Sequence, residues 1–116
     1  MKIMIVDDNA SVRALIRAIL SDSAERFYEC SDGSEALATF TKFRPDWVLM
    51  DIKMKNTDGF EATKQILSSY PDAKVIMVTQ YDEPKLHEKA IHIGAKEFVL
   101  KENLRDIVRI IGIEQN

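Results

Sequence analysis

Short apolar runs alternate with longer amphipathic stretches along almost the whole chain, and this alternation constrains the fold more than any other feature. Such a rhythm reads as βαβ units, with parallel strands side by side and helices packed on the sheet. The expected strands are Lys2–Val6, Arg26–Cys30, Trp47–Met50, Lys74–Val78 and Lys96–Leu100. Ile3-Met4-Ile5-Val6, Trp47-Val48-Leu49-Met50 and Val75-Ile76-Met77-Val78 are nearly continuous apolar runs. Strands of that kind are buried on both faces. Arg26 and Glu29 make the second strand more polar, which suits a sheet edge.

Five helices are expected between and after the strands. Val12, Leu15, Ile16 and Ile19 recur at the spacing of one helical face, with Asp7, Asp8 and Asn9 competing to cap that helix. Ala36, Leu37 and Phe40 form a second stripe, and Asp32 with Glu35 has capping-box spacing. A third helix follows Asp58, carries Phe60, Thr63, Ile66, Leu67 and Tyr70, and stops at Pro71. Pro84 suits the first turn of a fourth, which Gly94 ends. Leu104, Ile107, Val108 and Ile111 mark the last. Ile110 and Ile113 lie off that stripe, either covering a partner or dimer mate or packing at the helix end.

A chain of 116 residues is expected to form one domain spanning 1–116. Its fold would have a radius of gyration of about 13 Å. Lys and Arg number 16 against 19 Asp and Glu, a net charge of −3, which argues against direct nucleic-acid binding. No apolar run approaches the roughly 18 residues of a membrane span. The start, Met1 to Asp8, does not read as an export signal, so a cytoplasmic protein is expected. Cys30 is the only cysteine and is expected to be inert packing. His87 and His92 are five apart, do not share a face as ligands four apart would, and read as partly exposed helix residues.

Ligands of open α/β sheets bind beyond the carboxyl ends of the strands. Asp7 and Asp8 follow the first strand, Asp51 the third, Thr79 the fourth and Lys101 the fifth. Three ionised carboxylates brought to one edge would repel, each pair costing roughly 4 kcal/mol at 4 Å and an effective dielectric of 20. Such a site must raise a pKa or hold a cation. Oxygen donors without nearby His or Cys favour Mg²⁺. The cation, the Lys101 ammonium and the Thr79 hydroxyl together suit a phosphoryl group. A carboxylate is itself a competent nucleophile. Asp51, alone at its strand end, is the expected acceptor, with Asp7 and Asp8 as metal holders.

Taken together, Ile5-Val6-Asp7-Asp8-Asn9, Leu49-Met50-Asp51-Ile52-Lys53-Met54, Thr57-Asp58-Gly59-Phe60-Glu61, Val78-Thr79 and Phe98-Val99-Leu100-Lys101 resemble the receiver domains of two-component response regulators. The resemblance runs from Lys2 to the last helix. It implies a flavodoxin-like, doubly wound α/β fold, with a five-stranded parallel sheet in order 2-1-3-4-5 and five helices. It also implies that Asp51 takes a phosphoryl group from a sensor histidine kinase. Asp7, Asp8, Asp51 and the carbonyl of Lys53 would hold Mg²⁺, and Thr79 and Lys101 would contact the phosphoryl oxygens. Thr79 and Phe98 would act as the switch pair, altering the face of the fourth helix, fifth strand and fifth helix toward a downstream protein target or a fused output domain. A homodimer formed on phosphorylation is a further partner of this class. The activity implied is self-phosphorylation and autodephosphorylation rather than turnover of other molecules.

Three residues depart from the family pattern. Gln80 stands where Ala or Gly is usual and narrows access to an acyl phosphate; Lys55 and Glu102 replace common prolines. A cis Lys101–Glu102 bond would cost about 3–4 kcal/mol without proline. Three rival readings exist. A phosphohydrolase would need a second acid beside the nucleophile and a cap. A receiver-like binding domain that is never phosphorylated is favoured by Gln80. A flavin-binding domain would have to tolerate Asp7-Asp8 beside the flavin phosphate.

Overall fold

The side chains of Ile3, Met4, Ile5 and Val6 are fully buried, as a strand requires when helices cover both faces of its sheet. The computed structural model describes the backbone of residues 1–115 and the side chains of residues 1–112. Strands β1 (Lys2–Val6), β2 (Arg26–Cys30), β3 (Trp47–Asp51), β4 (Val75–Thr79) and β5 (Glu97–Leu100) form one sheet in the order β2-β1-β3-β4-β5. All neighbours run parallel. The polar strand β2 lies at an edge, as its Arg26 and Glu29 suggest.

Alternation along the strands sorts the core into two layers. Ile3, Ile5, Trp47, Leu49, Ile76 and Val78 pack against α1 (Ala10–Ile19) and α5 (Asp106–Gln115). Met4, Val6, Val48, Met50, Val75 and Met77 pack against α2 (Ala36–Phe43), α3 (Gly59–Ser69) and α4 (Pro84–Ile93). The radius of gyration is 12.6 Å. No described helix is long and apolar enough to cross a membrane.

The caps decide which residues remain available for chemistry. Asn9 caps α1, its Oδ1 accepting from the Ser11 and Val12 amides at 2.9 and 3.1 Å. The preceding two carboxylates are thereby freed from capping. Asp58 caps α3 through the Phe60 amide at 2.8 Å. Pro84 opens α4, and Gly94 closes it at φ 103°, a left-handed conformation that glycine adopts at little cost.

Several expectations need correction. β3 and β4 each extend one residue further than their apolar runs, so Asp51 and Thr79 are strand residues; the ladder pairs Asp51 with Val78 and Thr79 with Leu100. β4 accordingly begins at Val75 and β5 at Glu97, with the Lys96 amide still donating to Val75 O at 2.8 Å. The Asp32–Glu35 capping box does not form. Asp32 precedes a 3₁₀ turn over Gly33–Glu35 and accepts from the Ser34 hydroxyl at 2.7 Å. Leu15 is 51% exposed and Val108 39%, because the buried stripes run through Ile16 of α1 to Leu20 at its C-terminal cap and through Ile107, Ile110 and Ile111 on α5. Leu104 is buried but precedes α5. Ile110 is thus packing, while the side chain of Ile113 lies outside the described residues.

The two leucines test this assignment. Leu20→Ala should cost about 2–5 kcal/mol in urea unfolding, as fully buried leucines do. Leu15→Ala should stay within about 1 kcal/mol. Equal losses would contradict the observed stripe.

Candidate functional site

Parallel strands deliver their carboxyl ends to one edge, and the acidic residues meet there. Asp7 directly follows β1. Its amide donates to Cys30 O on β2 at 3.1 Å, and its Oδ1 accepts from the Asn9 amide at 2.8 Å. Asp8, exposed, accepts the Lys55 amide at 3.0 Å and so ties the loop after β3 to the loop after β1. Asp51, the last residue of β3, is buried. One carboxylate oxygen from each of Asp7, Asp8 and Asp51 lies within 4.8 Å of the others.

Lys101 directly follows β5 and supplies the counter-charge. Its Nζ lies 3.0 Å from Asp7 Oδ2 and 3.4 Å from Asp51 Oδ1. Burial works to lower the affinity of this ammonium for its proton. The hydrogen bond to Asp7 and the charges of Asp51 and Asp7 outweigh it and hold the pKa above the usual lysine value. Asp51 moves the other way from an ordinary carboxyl. Burial first, then the Asp7 charge, pushes it up to about 6 despite Lys101. One ammonium does not offset three carboxylates, two of them buried.

The remaining expected residues are placed unequally. Thr79, buried at the end of β4, accepts the Tyr81 amide on Oγ1 at 3.2 Å. Lys53 is exposed, and its Nζ stands 4.0 Å from the centre of the Tyr81 ring. Asp8, Asn9, Asp51, Lys53, Gln80, Tyr81 and Lys101 line a cavity of about 160 Å³. Phe98 is apart from that cavity, half-buried and stacked on exposed His87 of α4 at 4.8 Å. Cys30 is buried, with its thiol against the Thr39 hydroxyl, and burial pushes its pKa up. Lys101–Glu102 is trans, as are all described peptide bonds.

The residues fit a hard divalent cation. The three carboxylates offer oxygen donors at short mutual spacing, and the ammonium of Lys101 reaches two of them. Gly59 also belongs to the site's support. A Cβ there would stand 1.9 Å from the Asp51 carbonyl oxygen, and the Gly59 amide donates to Ile52 O at 2.8 Å. Asn9 was expected as a cap candidate, which it is, but not as a lining residue of the cavity. Tyr81 was not foreseen, having no strand-end signal, and Gly59 was noted only within a motif.

The family profile "Response regulator receiver domain" matches residues 3–111. This chain is a response regulator receiver domain. The receiver is 39% identical over 102 residues to the chemotaxis protein CheY of Listeria monocytogenes, covering 87% of this chain and 86% of that one. It is 37% identical over 114 residues to the response regulator protein VraR of Staphylococcus aureus, covering 93% of this chain but 54% of that protein. Among solved structures, Vibrio cholerae CheY4 superposes with a TM-score of 0.86 at 28% identity, covering 97% of the receiver and 96% of that chain.

Two outcomes test the site. The pKa of Asp51 is higher in the folded than in the unfolded chain, so the folded state holds the extra proton between about pH 4 and 6. Stability of the metal-free receiver therefore falls through that window, by up to about 3 kcal/mol, and the loss is complete above it. Asp51→Asn should raise metal-free stability at pH 7.5 by about 1–3 kcal/mol in urea unfolding. The gain should fade below pH 4. Gly59→Ala should cost about 2–3 kcal/mol by the same measurement, because the clash is with main chain and not with a flexible side-chain end.

Proposed function

We propose that residues 1–116 act as a single phosphorylatable switch, taking a phosphoryl group on Asp51 from a sensor histidine kinase in the cytoplasm. The observation that carries this reading is the convergence of Asp7, Asp8 and Asp51 on one another and on Lys101. Mg²⁺ would be held by Asp7, Asp8, Asp51 and the Lys53 carbonyl, where it would offset charge on the carboxylates and the incoming phosphoryl oxygens.

In the transfer, an ionised Asp51 oxygen attacks phosphorus while the phosphorus–nitrogen bond of the phosphohistidine breaks. The departing imidazole nitrogen takes the electron pair and a proton from water. Lys101 neutralises charge on the phosphoryl oxygens, and the Thr79 hydroxyl donates to one of them. The raised pKa of Asp51 leaves it ionised at neutral pH. The receiver is then substrate and co-catalyst of its own phosphorylation and hydrolysis, not a turnover enzyme on other molecules.

The acyl phosphate adds about 1.5–2 negative charges beside Lys101 and Thr79. Moving a population from 1:99 to 99:1 takes about 5.5 kcal/mol. Two or three charge-assisted hydrogen bonds of about 1.5–3 kcal/mol each supply that. Thr79 shifts toward the phosphoryl group, Phe98 leaves its stack on His87, and the α4–β5–α5 face changes its preference for a partner. That partner is a downstream protein, a fused output domain or a second phosphorylated copy. The relative VraR extends well beyond the length matched, which supports the fused form as one arrangement.

Mass spectrometry after incubation with Mg²⁺ and acetyl phosphate tests the reading. One phosphoryl adduct is expected, absent in Asp51→Asn and strongly reduced in Lys101→Ala. An adduct that persists in Asp51→Asn would remove Asp51 as the acceptor. No adduct from the donor or from histidine kinases would favour a binding domain that is never phosphorylated.

A further inference from the structure

Arg13, in the first turn of α1, holds two acceptors that belong to different parts of the fold. Its Nη1 donates to the main-chain oxygen of Asp7 at 2.6 Å, and its Nε donates to Glu29 Oε1 at 2.9 Å. The other Glu29 oxygen accepts from Arg17 Nη1 at 2.7 Å. Glu29 stands on edge strand β2, so the guanidinium spans α1, β2 and the loop between β1 and α1. Arg13 is mostly covered, with 16% of its side chain exposed, whereas Arg17 is 49% exposed.

Asp7 lies outside the strand ladder, where a buried carbonyl needs a partner from elsewhere. Its amide is anchored on Cys30 O of β2, and its carbonyl on Arg13, itself anchored on β2 by Glu29. Both main-chain groups of Asp7 are therefore fixed before its carboxylate is aimed at Lys101. Lysine could not replace the guanidinium, because only the planar fork serves two acceptors at fixed angles.

We propose that Arg13, steadied by Glu29, is a positioning residue that fixes the Asp7 main chain and thereby the carboxylate pair that holds the cation. The inference rests on the cation role given under Proposed function. Its sign opposes simple electrostatics. A positive side chain beside an acidic site weakens cation binding by charge alone, so neutralising it should tighten binding. A positioning role demands the reverse.

The experiment titrates the purified chain with Mg²⁺ in a calorimeter and, separately, follows amide hydrogen exchange of the metal-free protein. Arg13→Ala and Arg13→Lys should each weaken Mg²⁺ binding about tenfold, as loss of an outer-shell partner does. Glu29→Gln should shift it the same way by less. The Asn9 amide, which donates to Asp7 Oδ1, should lose protection in these variants while amides of β3 and β4 keep theirs. Unchanged or tighter Mg²⁺ binding in Arg13→Ala, with Asn9 protection intact, would overturn the proposal. Arg13→Lys and Glu29→Gln decide the matter if Arg13→Ala does not fold. Should the unaltered chain bind no Mg²⁺, the cation reading fails, and the Asn9 exchange alone decides whether Arg13 positions Asp7.

Discussion

Lys101 faces more negative charge than it can neutralise, and the rest of the site is arranged around that imbalance. Its ammonium lies within 3.0 Å of Asp7 and 3.4 Å of Asp51, with Asp8 completing the acidic cluster. Burial sharpens the conflict, because an ion removed from water loses hydration that a single counter-charge restores only in part. The stored repulsion makes the edge receptive to added positive charge. It also explains why helix α1 begins on a neutral amide. Asn9 satisfies the first amides of the helix without drawing either neighbouring carboxylate away.

The fold was legible because its strongest signal is redundant. Three continuous apolar strands demand cover on both faces, and the amphipathic stretches between them supply it. What failed was finer than that. On α1, Leu15 fits the spacing template as well as Ile16 does, yet the helix is rotated so that Ile16 and Leu20 face the sheet. A helix of ten residues leaves such rotation to tertiary packing. The capping-box pattern at Asp32 failed for a related reason. Gly33 admits a 3₁₀ turn before α2, so the residues three apart do not stand at the helix start.

The site was legible wherever chemistry resides in residue type at a strand end. Asp7, Asp8, Asp51 and Lys101 met that condition and lie together. The supports that fix them are mostly main-chain groups, which any residue carries. The Lys55 amide on Asp8, the Tyr81 amide on Thr79 and the Gly59 backbone under Asp51 leave almost no mark in the sequence. Lys55 shows the point well. Where proline is common in the family, it supplies an amide hydrogen that proline lacks, and Asp8 accepts it.

The same contrast between rigid and yielding parts bears on switching. Every residue of β4 is buried, while residues 80–85, including Pro84 at the start of α4, are all exposed. On the proposed reading, a displacement at Thr79 is resisted by the buried strand and released into the exposed loop that carries Gln80 and Tyr81. Tyr81 is bound to Thr79 by its amide and to Lys53 by its ring, so the loop cannot move without disturbing the mouth of the cavity. Beyond it, α4 presents His87 to Phe98. From Thr79 outward the chain runs through one buried strand, one solvent-exposed loop and one helix resting on an edge strand. Motion confined to the exposed loop costs little packing, whereas motion within β4 would disrupt both core layers. On the proposed reading, the phosphoryl signal leaves the site through the loop for that reason.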